Sequence, residues 1–298
     1  MYKRYDKEGY DVLSHYFDSI TEFLDYLEKT PTSSAFQGSS LSSQRCSDSS
    51  WSGTDTYEQA IELAKYGCDN NFDEFIELKL KLERYIKLSI QKSKTNNYYV
   101  GYAPDVKAYL EGCPLNMFNR ENPPRKQIDI YYNVAFSGGT STSQIYNRGV
   151  ITLSMIETLE KLGFNVNLNI FDMTDQGNQI HFAVFNLKNT AERLNVKKLF
   201  FPLCHNAWQR RLIFRLEEVT PDITYSWTGG YGHPASKELT KKIIDLKEND
   251  IILPQPSSIG IKGNDLIKDA DTMFHYINEE TQEKDFELPH LQKVKTLY

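Results

Sequence analysis

From Ile128 to Asp175 two hydrophobic periods alternate in an order that few folds accommodate. A strand-like run, Ile128-Asp129-Ile130-Tyr131-Tyr132-Asn133-Val134-Ala135-Phe136, enters the loop Ser137-Gly138-Gly139-Thr140-Ser141-Thr142-Ser143. A long helix-like stretch follows, with Ile145, Val150, Leu153, Ile156, Leu159 and Leu162 at helical spacing, and it stops at Gly163. A second strand-like run, Asn165 to Phe171, leads into Asp172-Met173-Thr174-Asp175. Strand, polar loop, helix, strand is the outline of a βαβ unit, whose ligands bind at the carboxyl ends of its strands. Those ends carry oxygens here, so Ser137, Gly138, Gly139, Ser141, Asp172, Thr174 and Asp175 are the candidate ligand-facing residues. Hard cations take such oxygens, and a helix N-terminus attracts anions.

The pattern continues toward the C-terminus. Gln179–Leu187 reads as an edge strand, Thr190–Leu194 as a short helix, and Lys197–Leu203 as a strand or buried helix. Gln209–Glu218 reads as a helix, Ser236 as the N-cap of another, Asp250–Pro254 as a short buried strand, and Asp265–Asn278 as a final helix. The expectation is an α/β domain over 126–298, a mostly parallel sheet flanked by helices on both faces. Residues 1–125 read instead as a helical N-terminal region, with an amphipathic helix over 9–29 and further helices at 57–66 and 71–93. Between them, 31–54 is a Ser-rich loop that supplies little apolar surface for burial, so it is expected to be mobile, with Trp51 anchoring its end.

Composition removes several classes of function. No apolar run approaches the ~20 residues of a membrane span, and the basic, aromatic N-terminus lacks the apolar stretch of a secretory signal. A net charge of −6 does not indicate a nucleic-acid binder. Four scattered cysteines form neither a disulfide framework nor a paired metal motif, and Cys204-His205 reads as a buried thiol beside a surface imidazole. A cytoplasmic chain is expected. Trp208-Gln209-Arg210-Arg211 with Arg215 is the main basic group; it reads as a solvated helix face paired with Glu217 and Glu218, or more sharply as a phosphate or acidic-partner contact through Arg210 and Arg211. Trp227-Thr228-Gly229-Gly230-Tyr231-Gly232-His233-Pro234 has the make-up of a ligand-facing loop, with His233 as its only acid–base candidate. No nucleophile motif and no phosphate-binding glycine motif accompanies it.

Residues Ile128 to about Ile277 resemble a von Willebrand factor A-like domain, nearest to the versions in cobalt- and magnesium-chelatase subunits. In such domains the first strand ends in Asp-x-Ser-x-Ser, and these residues, with a threonine and a later aspartate, hold Mg²⁺ while a partner's carboxylate completes the shell. The resemblance implies Asn133, Ser137, Thr174 and Asp172 as metal ligands, Mg²⁺ as cofactor, and a protein partner, by analogy an AAA+ ATPase. Asn133 lacks the aspartate's charge, Ala135 cannot ligate, and the loop is two residues longer, so the expected Mg²⁺ response is weak or absent. Trp51-Ser52-Gly53, Ala60, Gly67, Gly101-Tyr102-Ala103-Pro104-Asp105-Val106, Gly112-Cys113-Pro114 and Met117 further resemble a family of bacteriophage-encoded proteins. That resemblance implies a phage origin and a place in the host cytoplasm or the virion. The leading expectation is a phage-type intracellular protein-binding adaptor. Its alternatives are an enzyme binding a nucleotide or phosphorylated small molecule through Ser137–Ser143, and a virion or DNA-processing component.

Overall fold

The computed structural model describes residues 1–36, 43–67, 72–88, 95–120, 127–161, 163–224, 233–247, 250–282 and 291–293. The chain opens with a hairpin, β1 (Tyr2–Lys7) and β2 (Tyr10–Phe17), and helix α1 (Ile20–Lys29). Helices α2 (Ser49–Ser52), α3 (Tyr57–Tyr66) and α4 (Phe72–Tyr85) follow, then β3 (Ile86–Leu88). A small unit holds β4 (Thr95–Tyr98), β5 (Ala103–Pro104), α5 (Val106–Leu110) and β6 (Met117–Arg120). The central unit is β7 (Gln127–Asn133), α6 (Thr142–Lys161), β8 (Asn165–Gln176) and β9 (Gln179–Lys188). After it come α7 (Val196–Cys204), a π-helix at Trp208–Ile213 running into α8 (Phe214–Val219), and α9 (Lys237–Ile243). The described chain closes with β10 (Asp250–Leu253), α10 (Pro256–Ile259), α11 (Leu266–Gln282) and β11 (Leu291–Lys293).

One six-stranded sheet, ordered β1-β2-β9-β8-β7-β10, organises the molecule. The pairs β2–β9, β7–β8 and β7–β10 are parallel, and β1–β2 and β8–β9 are antiparallel. β7 and β8 lie side by side and parallel, joined by α6, as the spacing of that segment requires. Ile128, Ile130 and Tyr132 of β7, Leu168 and Ile170 of β8, and Ala183 and Phe185 of β9 point to one face. There they meet a thick layer from α1, α3, α6, α7, the π-helix and α11, centred on Trp208. On the opposite face Phe171, Met173, Ile180 and Phe182 are covered mainly by Leu239 and Ile243 of α9. The expected two helical layers are therefore unequal.

Several expectations are corrected. Residues 9–29 are not one helix: β2 takes 10–17 and helix begins only at Ile20, capped by the Ser19 hydroxyl, which accepts from the Glu22 amide. β2 lies inside the sheet between β1 and β9 and is buried on both faces from Val12 to His15, so its apolar residues run together rather than alternating. The N-terminal region is thus not purely helical, and the main sheet draws strands from both sides of residue 125. β9 is an interior strand rather than an edge, because β2 pairs along its free side. Residues 190–194 form a turn and extended chain, and 197–203 is helical. Residues 37–42 of the Ser-rich loop lie outside the described residues; on either side of them Ser33 and the stretch from Ser43 onward are fastened to the core.

Candidate functional site

The carboxyl end of β7 is closed by an arginine. Arg148 of α6 is fully buried, stacked 3.8 Å from the centre of the Tyr132 ring, and donates to the backbone oxygens of Asn133 (2.6 Å) and Pro254 (2.5 Å). These carbonyls end the neighbouring parallel strands β7 and β10, so a fixed positive charge spans the two strand ends. Burial pushes the Arg148 guanidinium below its ordinary range, yet arginine stays protonated in proteins. The Asn133 side-chain oxygen accepts from the Ala135 amide (2.8 Å), an Asx-type turn that starts the loop.

The loop itself is tied down from beneath. Gln209 donates to the Phe136 carbonyl (3.1 Å), and Arg210 donates to those of Thr140 (2.9 Å) and Trp51 (2.6 Å). Ser137 pairs with Thr140, and Ser141 forms a reciprocal cap with Gln144 at the start of α6. The loop hydroxyls thus engage one another and the helix end. A side chain on Gly138 or Gly139 would meet nothing within 4 Å, so no close backbone approach explains these glycines.

Arg210 and Arg211 do not lie on a solvated face, which corrects that expectation: they are 4% and 0% exposed. Arg211 donates to the carbonyls of Ser43 (2.8 Å), Cys46 (2.9 Å), Thr54 (2.7 Å) and Asp55 (3.3 Å). Glu218 accepts from the Ser43 amide and from Arg215. Trp51 packs on Phe214 and under the Arg210 guanidinium, as an anchor should. The π-helix puts these consecutive arginines to use, and π-turns within helices often mark such special sites.

Asp172 and Thr174 belong to a different group. β8 extends past the end of β7, and on this extension Asp172 and Thr174 face the helix layer alongside His181, which sits opposite Thr174 on β9. Glu217 of α8 comes down from above; Thr174 donates to it across 3.3 Å. One donor atom each from Asp172, His181 and Glu217 lies within 4.8 Å of the others, and all three side chains are buried. Among the described residues, both carboxylate oxygens of Asp172 and the Nδ1 of His181 have no hydrogen-bond partner, and that Nδ1 lies 3.9 Å from an Asp172 carboxylate oxygen. Burial drives the Asp172 carboxyl upward and the His181 imidazole downward, with Glu217 pulling the imidazole back up.

The remaining candidates stand apart. Asp175 is half-buried; its carboxylate accepts from the Gly177 amide, and its own amide donates to the His233 carbonyl. His233 is exposed, while residues 225–232 of its loop lie outside the described residues. Cys204 is buried, with its sulfur 2.4 Å from where a side chain on Gly149 would begin; burial lowers the adjacent His205 to about 4.

His181 went unnoticed in the sequence, and Glu217 was read only as an ion-pair partner of the nearby arginines. One signal was available: Gly177-Asn178 is a two-residue hairpin turn between apolar runs, and folding there places Thr174 opposite His181. Nothing local announces Glu217, which arrives from a helix across the core.

A third region is defined by exposure. β4, β5 and β6 form their own small sheet, separate from the main one. Asp105 caps α5 by accepting from the Ala108 amide and also receives the Asn97 side-chain amide. A side chain on Gly101 would begin 2.1 Å from the Phe118 carbonyl, so glycine is needed where the chain crosses β6. Tyr99, Val100, Tyr102, Val106, Tyr109 and Leu110 are between 61% and 78% exposed.

Comparison with known proteins gives a family whose description names no activity. A family model described as a domain of unknown function, DUF7192, matches residues 4–290. The chain belongs to that family. No curated protein and no solved structure matches it. Because the match begins within β1 and runs past α11, the N-terminal hairpin, the small exposed unit and the βαβ core all fall inside one family domain. Among the described residues, no helix is long and apolar enough to cross a membrane.

Proposed function

We propose that this chain is a protein-binding module, built on a von Willebrand A-like sheet, that works without a metal at the carboxyl end of β7. The observation that carries the reading is the exposed apolar unit at 95–120. Single exposed apolar side chains are ordinary, but six within one short module suggest a surface that a partner covers. Tyrosine makes up half of them, and aromatic residues are enriched where proteins meet. Arg148 supports the metal-independent part. The guanidinium does permanently what a bound cation would do, joining the β7 and β10 ends, and it would repel a second positive charge placed a few ångströms away. The nucleotide reading draws less support, because the Ser137–Ser143 hydroxyls already cap α6 and brace one another. A phage-encoded origin, and action within the host cell or virion, belong to this proposal through the N-terminal resemblance alone.

The test uses the full chain. Sedimentation first establishes whether it is monomeric; capture experiments with purified candidates, an AAA+ ATPase first by analogy, then compare wild type with a Tyr102→Ser, Tyr109→Ser, Leu110→Ser variant. Binding, or self-association, that is lost in this variant and unchanged by EDTA is the expected result. Binding that survives the triple substitution, or that needs Mg²⁺, overturns the reading.

A further inference from the structure

We infer that Asp172, His181 and Glu217 form a binding site for one divalent transition-metal ion of the Zn²⁺, Mn²⁺ or Fe²⁺ class. The inference does not depend on the protein-binding reading, since the site lies under the sheet and not on the exposed unit.

The hydroxyl of Thr220 fixes where the protons sit. It carries one hydrogen, which it donates to the Leu216 carbonyl at 2.7 Å. The same oxygen lies 2.9 Å from Nε2 of His15 and 3.2 Å from Nε2 of His181. With its only hydrogen engaged, Thr220 can only accept, so both imidazoles carry their proton on Nε2. In His181 this leaves Nδ1 as a bare lone pair. That lone pair is buried, has no hydrogen-bond partner among the described residues, and lies 3.9 Å from an Asp172 carboxylate oxygen. Two acceptors with no hydrogen between them repel, and each lost its water on burial. A shared proton would satisfy this pair alone; a cation satisfies it together with the third buried carboxylate, that of Glu217, whose ligating oxygen lies in the same cluster.

The donor set fits a metal of this kind. One imidazole nitrogen and two carboxylates suit Zn²⁺, Mn²⁺ or Fe²⁺, whereas Ca²⁺ and Mg²⁺ favour oxygen-only shells. Ligands bound at ~2.1 Å stand roughly 3 to 4 Å apart around one ion; the three donor atoms here lie within 4.8 Å of one another, so a movement of a few tenths of an ångström per side chain closes the site. Outer-sphere partners are already in place. The Nε2–H of His181 is held by Thr220, and Glu217 receives the Thr174 hydroxyl, the arrangement that fixes ring orientation and tautomer around bound metals. A metal here ties the β8–β9 hairpin to α8.

The experiment measures metal in untagged protein purified without chelator, then follows melting of chelator-stripped protein with Zn²⁺ or Mn²⁺ added. About one equivalent of metal is expected, with a rise in melting temperature of at least about 5 °C on adding back the preferred ion. Asp172→Asn and His181→Gln should remove both. Metal-free wild-type protein with no thermal response overturns the inference and leaves the gap to a shared proton. Metal retained equally by both variants overturns it too, because the ion then sits elsewhere. Should the variants fail to fold, Co²⁺-loaded wild-type protein decides the matter. Ligation through Nδ1 gives a hyperfine-shifted, exchangeable Nε2–H resonance from His181; a Co²⁺ complex without it, or no complex, rejects the site.

Discussion

Two buried polar centres sit near the same edge of the sheet and are built in opposite ways. At the β7–β10 end a buried cation, Arg148, meets two backbone oxygens that need a donor. At the β8–β9 extension three buried acceptors converge, and the Asp172 oxygens and His181 Nδ1 among them have no donor. The first centre supplies its acceptors with donors from within the chain, leaving only the Arg148 Nε without a partner among the described residues. The second supplies its Asp172 oxygens and His181 Nδ1 with none among the described residues. Burial alone therefore does not separate a structural polar group from a ligand site; what separates them is whether the buried acceptors find donors.

The largest way to break this comparison is Arg148→Met. It leaves two carbonyls at rigid strand ends without a donor, and a loss of about 4 kcal/mol is expected in urea unfolding. A loss below about 1 kcal/mol would mean that the arginine does not hold the strands and that the two centres are less different than they look. Arg211→Met is expected to lose less, about 2–3 kcal/mol, because the carbonyls of Ser43, Cys46, Thr54 and Asp55 belong to a loop that can turn to water. Its sharper signature is proteolysis: residues 43–55 resist cleavage in the wild type and become the first site cut in the variant. Uniform resistance in both would show that other contacts hold this loop.

Acid probes the comparison differently, since arginine does not titrate there. Burial depresses His205 to about 4 from its ordinary 6.5, so its neutral form is favoured in the folded protein. That contribution is fully present above pH 6.5 and is lost as pH falls from 6.5 through 4, a loss of about 3 kcal/mol. Subtracting the pH profile of His205→Gln from that of the wild type isolates it; coincident profiles would assign the acid sensitivity to other groups. The smallest expected effect is that of Mg²⁺. Millimolar Mg²⁺ should move the melting temperature by less than about 1 °C, because the β7–β10 end already holds its charge. A shift of several degrees that persists in Asp172→Asn, and so does not come from the β8–β9 centre, would restore a metal-dependent adhesion site there.

The βαβ core was legible because its parts obey different periods in short succession. β8 alternates Val166, Leu168 and Ile170 with polar residues, and α6 keeps its apolar stripe across twenty residues. β2 was not legible. Val12, Leu13, Tyr16, Phe17 and Ile20 fit helical spacing, yet tertiary pairing on both sides makes the first four part of a strand. Asp172 and Thr174 were found from their place after the second strand, but their partners were not. His181 needed the hairpin turn to be recognised, and Glu217 needed the packing of α8 over the sheet. The arginines of the π-helix were misread for a related reason: a charge in sequence suggests solvent, and only the backbone carbonyls gathered around Arg211 make its burial tolerable.

The parallel pairing of β2 with β9 also constrains how the molecule is made. Val12 finds its partner Ile180 only after more than half the chain has been synthesised, an interval on the order of ten seconds at ordinary ribosomal speeds. Until then β1 and β2 have only each other and α1, whose Phe23 and Tyr26 pack on Phe17, and an isolated two-stranded hairpin is marginal in water. The emerging chain thus carries Val12 without Ile180 and without the α9 residues that cover it while those segments are still being translated. The first strands to leave the ribosome complete their pairing only when β9 follows.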